Sequence, residues 1–350
     1  MLPFLDLAAR HAEAAADVER RVLEVLRSGH YVGGPVVAEA EAVAARWMGR
    51  SGAVGLSNGT DALMLALQAV GVRPGDEVVV PALTFFATAG AVAAIGAVPR
   101  VVDVREDGLM DPALAAGAVT ERTAAVVPVH LFGSHAERPS VPVPVVDDAA
   151  QAVGADPPCS DGVLSAVSTY PTKLWGGAGD GGFVVGDDPA LLDAVRRLGH
   201  HGQVGAHLHQ TVGGAPGRNA RLDALQAAVL LGHAPMLPQR IAHRRQLVAA
   251  YEALLPPRVR PLVRTPGATA SPFVVRVGRR EAVQQALHDA GIGASIYYPR
   301  SLTQQPALAG PHAPTPVADA LAAEVLALPV HSGMGTADVE RVVAVLSEVA

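Results

Sequence analysis

Val163-Leu-Ser-Ala-Val-Ser-Thr-Tyr-Pro-Thr-Lys-Leu-Trp-Gly-Gly-Ala-Gly-Asp-Gly-Gly-Phe-Val-Val185 sets two short apolar runs on either side of a loop carrying a lysine and many glycines. The runs Val163–Thr169 and Gly182–Val185 are uninterrupted and rich in β-branched residues, which suits strands covered on both faces. Similar runs occur at Glu77–Val80, Arg100–Val104, Ala124–Val129 and Val143–Val146, with helical stretches or loops between most of them. That alternation predicts an α/β domain with a mostly parallel sheet.

The glycine-rich loop itself is neither of the common phosphate motifs. No Lys-Ser/Thr pair follows Gly176–Gly182, so it is not a P-loop; a strand rather than a helix follows, so it is not a dinucleotide fingerprint. The lysine remains to be explained. Lys173 is the only lysine in the chain, every other residue of the 27 Lys and Arg being arginine, and no arginine lies between Arg138 and Arg196. An isolated loop lysine ordinarily sits in solvent. One kept beside a glycine-rich loop, in a chain that uses arginine everywhere else, points to amine chemistry: in a pocket its pKa falls and it can form an imine with an aldehyde.

Open α/β sheets bind ligands at the carboxyl ends of their strands, and three further features fall there or at a helix start. Asp148 follows the apolar run Val143–Val146, where a buried carboxylate is costly unless paired. A pyridinium N–H is a suitable partner, because the pair keeps the ring nitrogen protonated and the ring able to accept carbanion charge; metal ligation or a helix cap accounts for an Asp-Asp pair equally well. Ser57-Asn-Gly-Thr60 opens a helix through Ala62–Leu67, and its free amides suit a phosphate dianion, to which Ser168 could add a hydroxyl; plain N-capping is the alternative. Phe85 could stack on a pyridine ring or belong to the core.

Away from these runs, a helix is expected from about Val36 to Met48, after Gly33-Gly-Pro35. Beyond Gly232 the pattern changes to a long helix (Gln239–Leu255), a strand (Phe273–Val277) and a helix (Arg280–Ala290), which reads as a smaller α+β unit. The expected division is 1–235 and 236–350. Pro139–Pro144 and Pro311–Pro316 read as loops.

Composition narrows the classes of function. With 50% hydrophobic and 17% charged residues the chain is of globular type. A net charge of -6 without a basic run argues against nucleic acid. Cys159 is the only cysteine, which excludes an intrachain disulfide and fits a cytoplasmic setting. Met1–Arg10, with its early Asp6, does not have the form of a signal peptide. Val78–Pro99 is uncharged and long enough to span a bilayer, but its prolines, threonines and glycines favour strand, loop and buried helix over a membrane segment. His200-His201 and His207-x-His209 lack the Cys or acidic neighbours of a zinc site.

The order of motifs is the most specific signal. Phe4-Leu-Asp-Leu7, Ser28-Gly-His-Tyr-Val-Gly-Gly-Pro35, Ser57-Asn-Gly-Thr-Asp-Ala-Leu63, Pro74–Ala82, Pro128-Val-His-Leu-Phe-Gly133, Asp148-Ala-Ala-Gln-Ala152, Tyr170-Pro-Thr-Lys173 with Gly179-Asp-Gly-Gly182, Asn219-Ala-Arg-Leu-Asp223 and Gln226-Ala-Ala228 follow one another along nearly the whole chain. In this the chain resembles the DegT/DnrJ/EryC1/StrS family of aminotransferases. These are fold type I, aspartate-aminotransferase-like enzymes that use pyridoxal 5'-phosphate (PLP), largely on nucleotide-linked keto-sugars.

The resemblance implies that Lys173 holds the cofactor as a Schiff base and shuttles the proton, that Asp148 holds the pyridine nitrogen and that Gln151 lies near the phenolic oxygen. It implies that Phe85 stacks on the ring, that Gly59, Thr60 and Ser168 hold the phosphate, and that Asn219 reaches the phosphate of a neighbouring subunit in a homodimer. Glutamate or glutamine would be the donor and a keto-sugar the acceptor. A PLP-dependent sugar dehydratase of the same fold is the alternative enzyme, though such relatives carry a histidine where Lys173 stands; a non-catalytic PLP- or sugar-nucleotide-binding regulator is another. The chain departs from the family at Tyr297 and Thr303, where histidines are usual, and in a shortened, proline-rich segment between Gly133 and Asp148.

Overall fold

The computed structural model describes residues 1–308, 310 and 312–349. Its central layer is built from β1 (Gly52–Leu56), β2 (Glu77–Pro81), β3 (Val98–Val102), β4 (Thr123–Val126), β5 (Val146–Asp148), β6 (Leu164–Ser168) and β7 (Gly182–Gly186). They pair as β3-β2-β4 and as β1-β7-β6-β5, and parallel bridges Val126–Val145 and Val129–Asp148 join the two groups into one layer. The β2–β3, β2–β4 and β5–β6 pairs are parallel, whereas β7 runs antiparallel to both β6 and β1. The reversal has a local cause: a parallel connection needs a crossover, usually a helix, and the segment between β6 and β7 contains none.

Two details differ from the sequence reading. β1 was not anticipated: Gly52-Ala-Val-Gly-Leu56 has one β-branched residue and two glycines, and it becomes a strand by pairing with β7 from Gly52–Gly186 to Leu56–Gly182. The expected run Val143–Val146 is shifted, because Pro142 and Pro144 have no N–H to give a ladder. The ladder with β6 starts at Val146 and ends on Asp148.

The helix expected near Val36–Met48 is Gly34–Trp47, and the helix after Ser57 is Gly59–Ala69. An amphipathic helix at Ala15–Ser28, not foreseen, buries Val18 and Val25. Between residues 78 and 99 lie β2, the helix Ala87–Ala94 and the start of β3; among the described residues no helix is long and apolar enough to cross a membrane. Pro139–Pro144 is irregular; Pro311 lies outside the described residues, and Pro316 instead opens the helix Pro316–Glu324.

After a hairpin of β8 (Gln203–Gly205) and β9 (Leu208–His209), the helices Ala224–His233 and Leu237–Leu254 lead to an antiparallel sheet. It comprises β10 (Arg260–Pro261), β11 (Phe273–Arg276) and β12 (Val325–Leu328), flanked by Arg280–Asp289 and Thr336–Val349. The largest buried cluster joins the two regions, with Leu65, Val80, Ala166 and Val184 packed in continuity with Val274 and Leu321. A separate cluster gathers Tyr251, Phe273, Leu326 and Val339, and the N-terminal Leu2 packs into it. The cleft between the carboxyl edge of the central sheet and these C-terminal elements is where the candidate residues meet.

Candidate active site

A cavity of about 790 Å³ opens at that edge. Seven of the eight residues expected from sequence line it: Gly59, Thr60, Phe85, Asp148, Gln151, Ser168 and Lys173. They come from the ends of different strands and from one helix start, as an open α/β sheet dictates. Asn219 does not line it; it is exposed beyond the hairpin, and its Oδ1 accepts from Arg221 Nε at 3.2 Å.

Asp148 ends β5 and is 5% exposed. Strand alternation sends it and Asp147 to opposite faces. Asp147 turns away from the cavity, where its Oδ2 accepts from Gly162 N at 2.7 Å and Ser165 Oγ at 2.9 Å and lies 3.7 Å from His130 Nε2. Asp148 Oδ2 accepts from Thr88 Oγ1 at 2.8 Å, and Thr88 Oγ1 lies 2.8 Å from Thr84 Oγ1. Asp148 Oδ1 takes a longer bond of 3.2 Å from Ala150 N. Burial pushes the Asp148 carboxyl up, against the downward pull of Thr88, Ala150 and the nearby Lys173 ammonium. A cationic N–H on the cavity side would complete its coordination.

Lys173 sits on the loop between β6 and β7, and burial pushes its ammonium down while Asp148 pulls the other way. A lysine so placed is readily deprotonated, as imine formation requires. The loop is held by backbone: Lys173 N donates to Tyr170 O and Gly177 N to Thr169 O, both at 2.8 Å. Arg10 Nη1 binds Lys173 O at 2.8 Å. Two residues on, Trp175 is buried in a stack on Phe183 with centroids 5.5 Å apart, its Nε1 donating to Leu230 O at 2.9 Å. A Cβ at Gly176 would stand 2.5 Å from Pro171 O, which is why the sequence needs glycine there.

At the helix start, Asn58 Oδ1 caps Asp61 N at 2.8 Å, and the Ser57 hydroxyl and Asn58 amide both turn to Asp61 Oδ2. Those two polar groups are therefore spent within the turn. Gly59 and Thr60 remain at the cavity, where helix N-terminal amides attract anions. A Cβ at Gly59 would lie 2.8 Å from Ser168 Cβ, so glycine lets the helix start close on the end of β6. Asp61, also on the wall, has Arg218 Nη1 at 3.7 Å to offset its charge.

Phe85 is 58% exposed, which removes the reading of a core phenylalanine. Its ring faces the cavity 5.9 Å from Tyr298. Gln151 is held between Phe132 N, which donates to Oε1 at 2.6 Å, and the Tyr298 hydroxyl, to which Nε2 donates at 3.3 Å. Burial and the charge of Asp148 push the Tyr298 hydroxyl well up, keeping it protonated. The sequence reading missed Tyr298 and Arg244 as members of this wall, and Thr88 as the buried donor behind Asp148. Thr84 and Thr88 are four residues apart, a spacing that hinted at a shared face; nothing in the sequence tied Arg244 or Tyr298 to Asp148.

The chain matches the DegT/DnrJ/EryC1/StrS aminotransferase family over residues 13–347. The chain belongs to that family. A relative from Pseudomonas aeruginosa, named UDP-2-acetamido-2-deoxy-3-oxo-D-glucuronate aminotransferase, is 36% identical over 99% of this chain and 100% of its own length. Another, the erythromycin biosynthesis sensory transduction protein EryC1 of Saccharopolyspora erythraea, is 38% identical over 99% of this chain and 98% of its own length. The solved structure of S. venezuelae DesV in complex with a ketimine intermediate superposes with a TM-score of 0.92 at 36% identity, covering 99% of this chain and 98% of that one.

This family member is thus a PLP-dependent aminotransferase of fold type I. The residues present fit that cofactor: a buried carboxylate, a helix start whose Gly59 lies close against Ser168, and a lysine of lowered pKa share one cavity. Among the described residues no three His, Cys, Asp or Glu side chains converge as a metal site.

Proposed function

We propose that this aminotransferase moves an amino group from glutamate or glutamine to a nucleotide-linked keto-sugar. The observation that carries the reading is the meeting of Lys173 and Asp148 across one cavity, each shifting the other's charge equilibrium. The sugar rests on the relatives, one of which is named for a UDP-linked 3-oxo-glucuronate. The cavity is also of a size that takes a bulky acceptor.

PLP, when bound, stores the migrating amino group between the two half-reactions and draws the electron pair from the reacting carbon. Asp148 would hold the ring nitrogen and keep its proton in place. The amides of Gly59 and Thr60, with Ser168 Oγ, would hold the phosphate, Phe85 would cover the ring, and Gln151 would meet its phenolic oxygen. Lys173 Nζ would hold the cofactor and, as an amine placed at the reacting carbon, would carry the proton to and from it in both halves. The donor leaves as a keto acid and the acceptor as an amine, so no external oxidant is needed. Asn219 serves a second copy of the chain in a homodimer.

The test is spectroscopic. Protein supplied with PLP is expected to be yellow and to bleach on adding glutamate or glutamine, with the colour restored by a nucleotide-linked keto-sugar. Lys173→Ala should still retain PLP through the phosphate and Asp148 contacts but lose the imine absorbance and all turnover. A chain whose colour survives both donors refutes the donor assignment, and full turnover by Lys173→Ala refutes the mechanism.

A further inference from the structure

The main chain of Lys173 is held on one side by its own turn and on the other by a residue 163 positions away. Its N–H donates to Tyr170 O at 2.8 Å, and its carbonyl accepts from Arg10 Nη1 at 2.8 Å. Gly176, Gly177 and Gly179 follow, with no side chains to fix the loop. Trp175 anchors the loop through its stack on Phe183 and its bond to Leu230 O. Arg10 thus supplies a tether from outside the loop, and at the reacting lysine itself.

Arg10 belongs to a short helix, Leu7–Ala12, capped by Asp6 Oδ1, which accepts from Ala9 N at 2.8 Å. That helix is pinned to the long helix Leu237–Leu254: Arg240 Nη2 donates to Arg10 O and Arg240 Nε to Glu13 Oε2, each at 2.8 Å. Ahead of it the chain is fixed to the C-terminal region, where Leu2 N donates to Gly291 O and Gly293 N to Leu2 O, both at 2.8 Å. Phe4 and Leu5, between these two anchors, line the cavity.

The arrangement is costly. Arg10 is half-buried near a second guanidinium; burial first, and then the charge of Arg240, bring its pKa down to about 10, against the pull of Glu13. It is still a cation at neutral pH, and a charged donor binds a carbonyl more strongly than a neutral one. An apolar residue at position 10 would avoid that cost. It would give up the bond to Lys173 O, the one hydrogen bond the Arg10 side chain makes among the described residues.

We propose that Arg10 is a positioning residue: by holding the Lys173 carbonyl it sets the tilt of the peptide that follows Lys173, and with it the direction in which Nζ enters the cavity. A lysine side chain reaches a given point by many routes, but meets a carbonyl carbon at the angle of attack by few, so the backbone that carries it matters. The N-terminal segment is then a working part of the site. The proposal rests on the assignment of Lys173 as the imine-forming amine.

The experiment compares wild type, R10M and R10Q as the apoprotein takes up PLP or its amine counterpart, pyridoxamine phosphate. R10M keeps the apolar stem without a donor; R10Q, whose amide stops short of the carbonyl, carries the same comparison if R10M does not fold. Both cofactor forms use the same phosphate and ring contacts, but only the aldehyde condenses with Nζ, releasing water. The PLP concentration giving half-maximal imine absorbance should therefore rise about tenfold, the scale of a lost hydrogen bond from a charged donor. The affinity for pyridoxamine phosphate, read by calorimetry, should stay near wild type. In turnover, kcat should fall about tenfold with the KM for donor and acceptor little changed, because Nζ acts on the proton rather than on binding.

Equal losses for the two cofactor forms would reduce Arg10 to a tie between segments and overturn the proposal, as would unchanged imine formation. K173A separates this failure from that of the reading beneath it. An imine absorbance that survives K173A removes Lys173 from the reaction, a result that substitution of Arg10 cannot mimic.

Discussion

At the scale of the residue, the cavity is organised by carboxyl and amine groups whose ordinary proton affinities are moved by burial. Asp148 is the sharpest case. Burial raises its pKa, and Thr88 opposes that rise with a hydrogen bond at 2.8 Å. Removing the bond in Thr88→Val should raise the carboxyl further, so the ionised form that can hold a ring proton is lost at a higher pH. The acidic limb of kcat/KM should therefore move upward, with activity near pH 8 falling no more than about tenfold; Thr88→Ser should behave as wild type. A pH–rate profile checks this, and an unmoved acidic limb contradicts it. Asp148 was legible in the sequence as a costly carboxylate after a strand, whereas Thr88 was not, because its partner is 60 positions away in the chain.

At the scale of the element, strands were legible where apolar runs were β-branched and unbroken, and illegible where they were not. β2 was read almost to its ends, whereas β1 needed β7 beside it to exist as a strand. The start of β2 also carries a stabilising device. Glu77, buried, accepts from Thr120 Oγ1 at 2.8 Å and Arg122 Nε at 3.1 Å, and lies 3.6 Å from Arg100 Nε, linking β2 to the beginnings of the segments around β3 and β4. Arg122 foremost, then Thr120, holds its carboxyl below the usual range.

A depressed folded-state pKa means the stabilisation is complete above the unfolded value, about 4.3, and disappears as pH falls through the folded one. Glu77→Gln is therefore expected to melt a few degrees (roughly 2–4 °C) below wild type at pH 7. The gap should narrow as the pH drops below about 4. Melting curves across that range test the assignment, and a gap independent of pH would mean that packing, not charge, is at work.

At the scale of the molecule, Asn219 stands apart. It is exposed and outside its own cavity, on the loop that follows the β8–β9 hairpin, where Val204 and Leu208 are also exposed. We propose that this region meets a second copy and that Asn219 completes the partner's phosphate site. Complementation tests it directly. Lys173→Ala and Asn219→Asp should each be inactive as homodimers, the second through a carboxylate set against phosphate. In a mixed dimer one site collects both lesions and the other neither, so mixing equal amounts should restore about a quarter of wild-type activity. If Asn219 acts within its own chain, every site in the mixture keeps one lesion and no activity returns. The proposed division into 1–235 and 236–350 belongs to this scale too. The main core runs through residues of both parts, so each would need the other's apolar surface to remain covered.

Lys173 on a glycine-rich loop, the phosphate-ready helix start and the apolar runs were all determined by the sequence alone, because each is a local pattern of a few neighbouring residues. The resemblance in motif order then led to the reaction class. Only the tertiary structure decided which of Asp147 and Asp148 faces the cavity, that Thr88 and Tyr298 bear on that site, and that Arg244 comes from the C-terminal region to line the same cavity as Lys173. These depend on strand phase and on contacts between distant segments, and no local pattern records which distant groups will share a cavity once water is excluded from it.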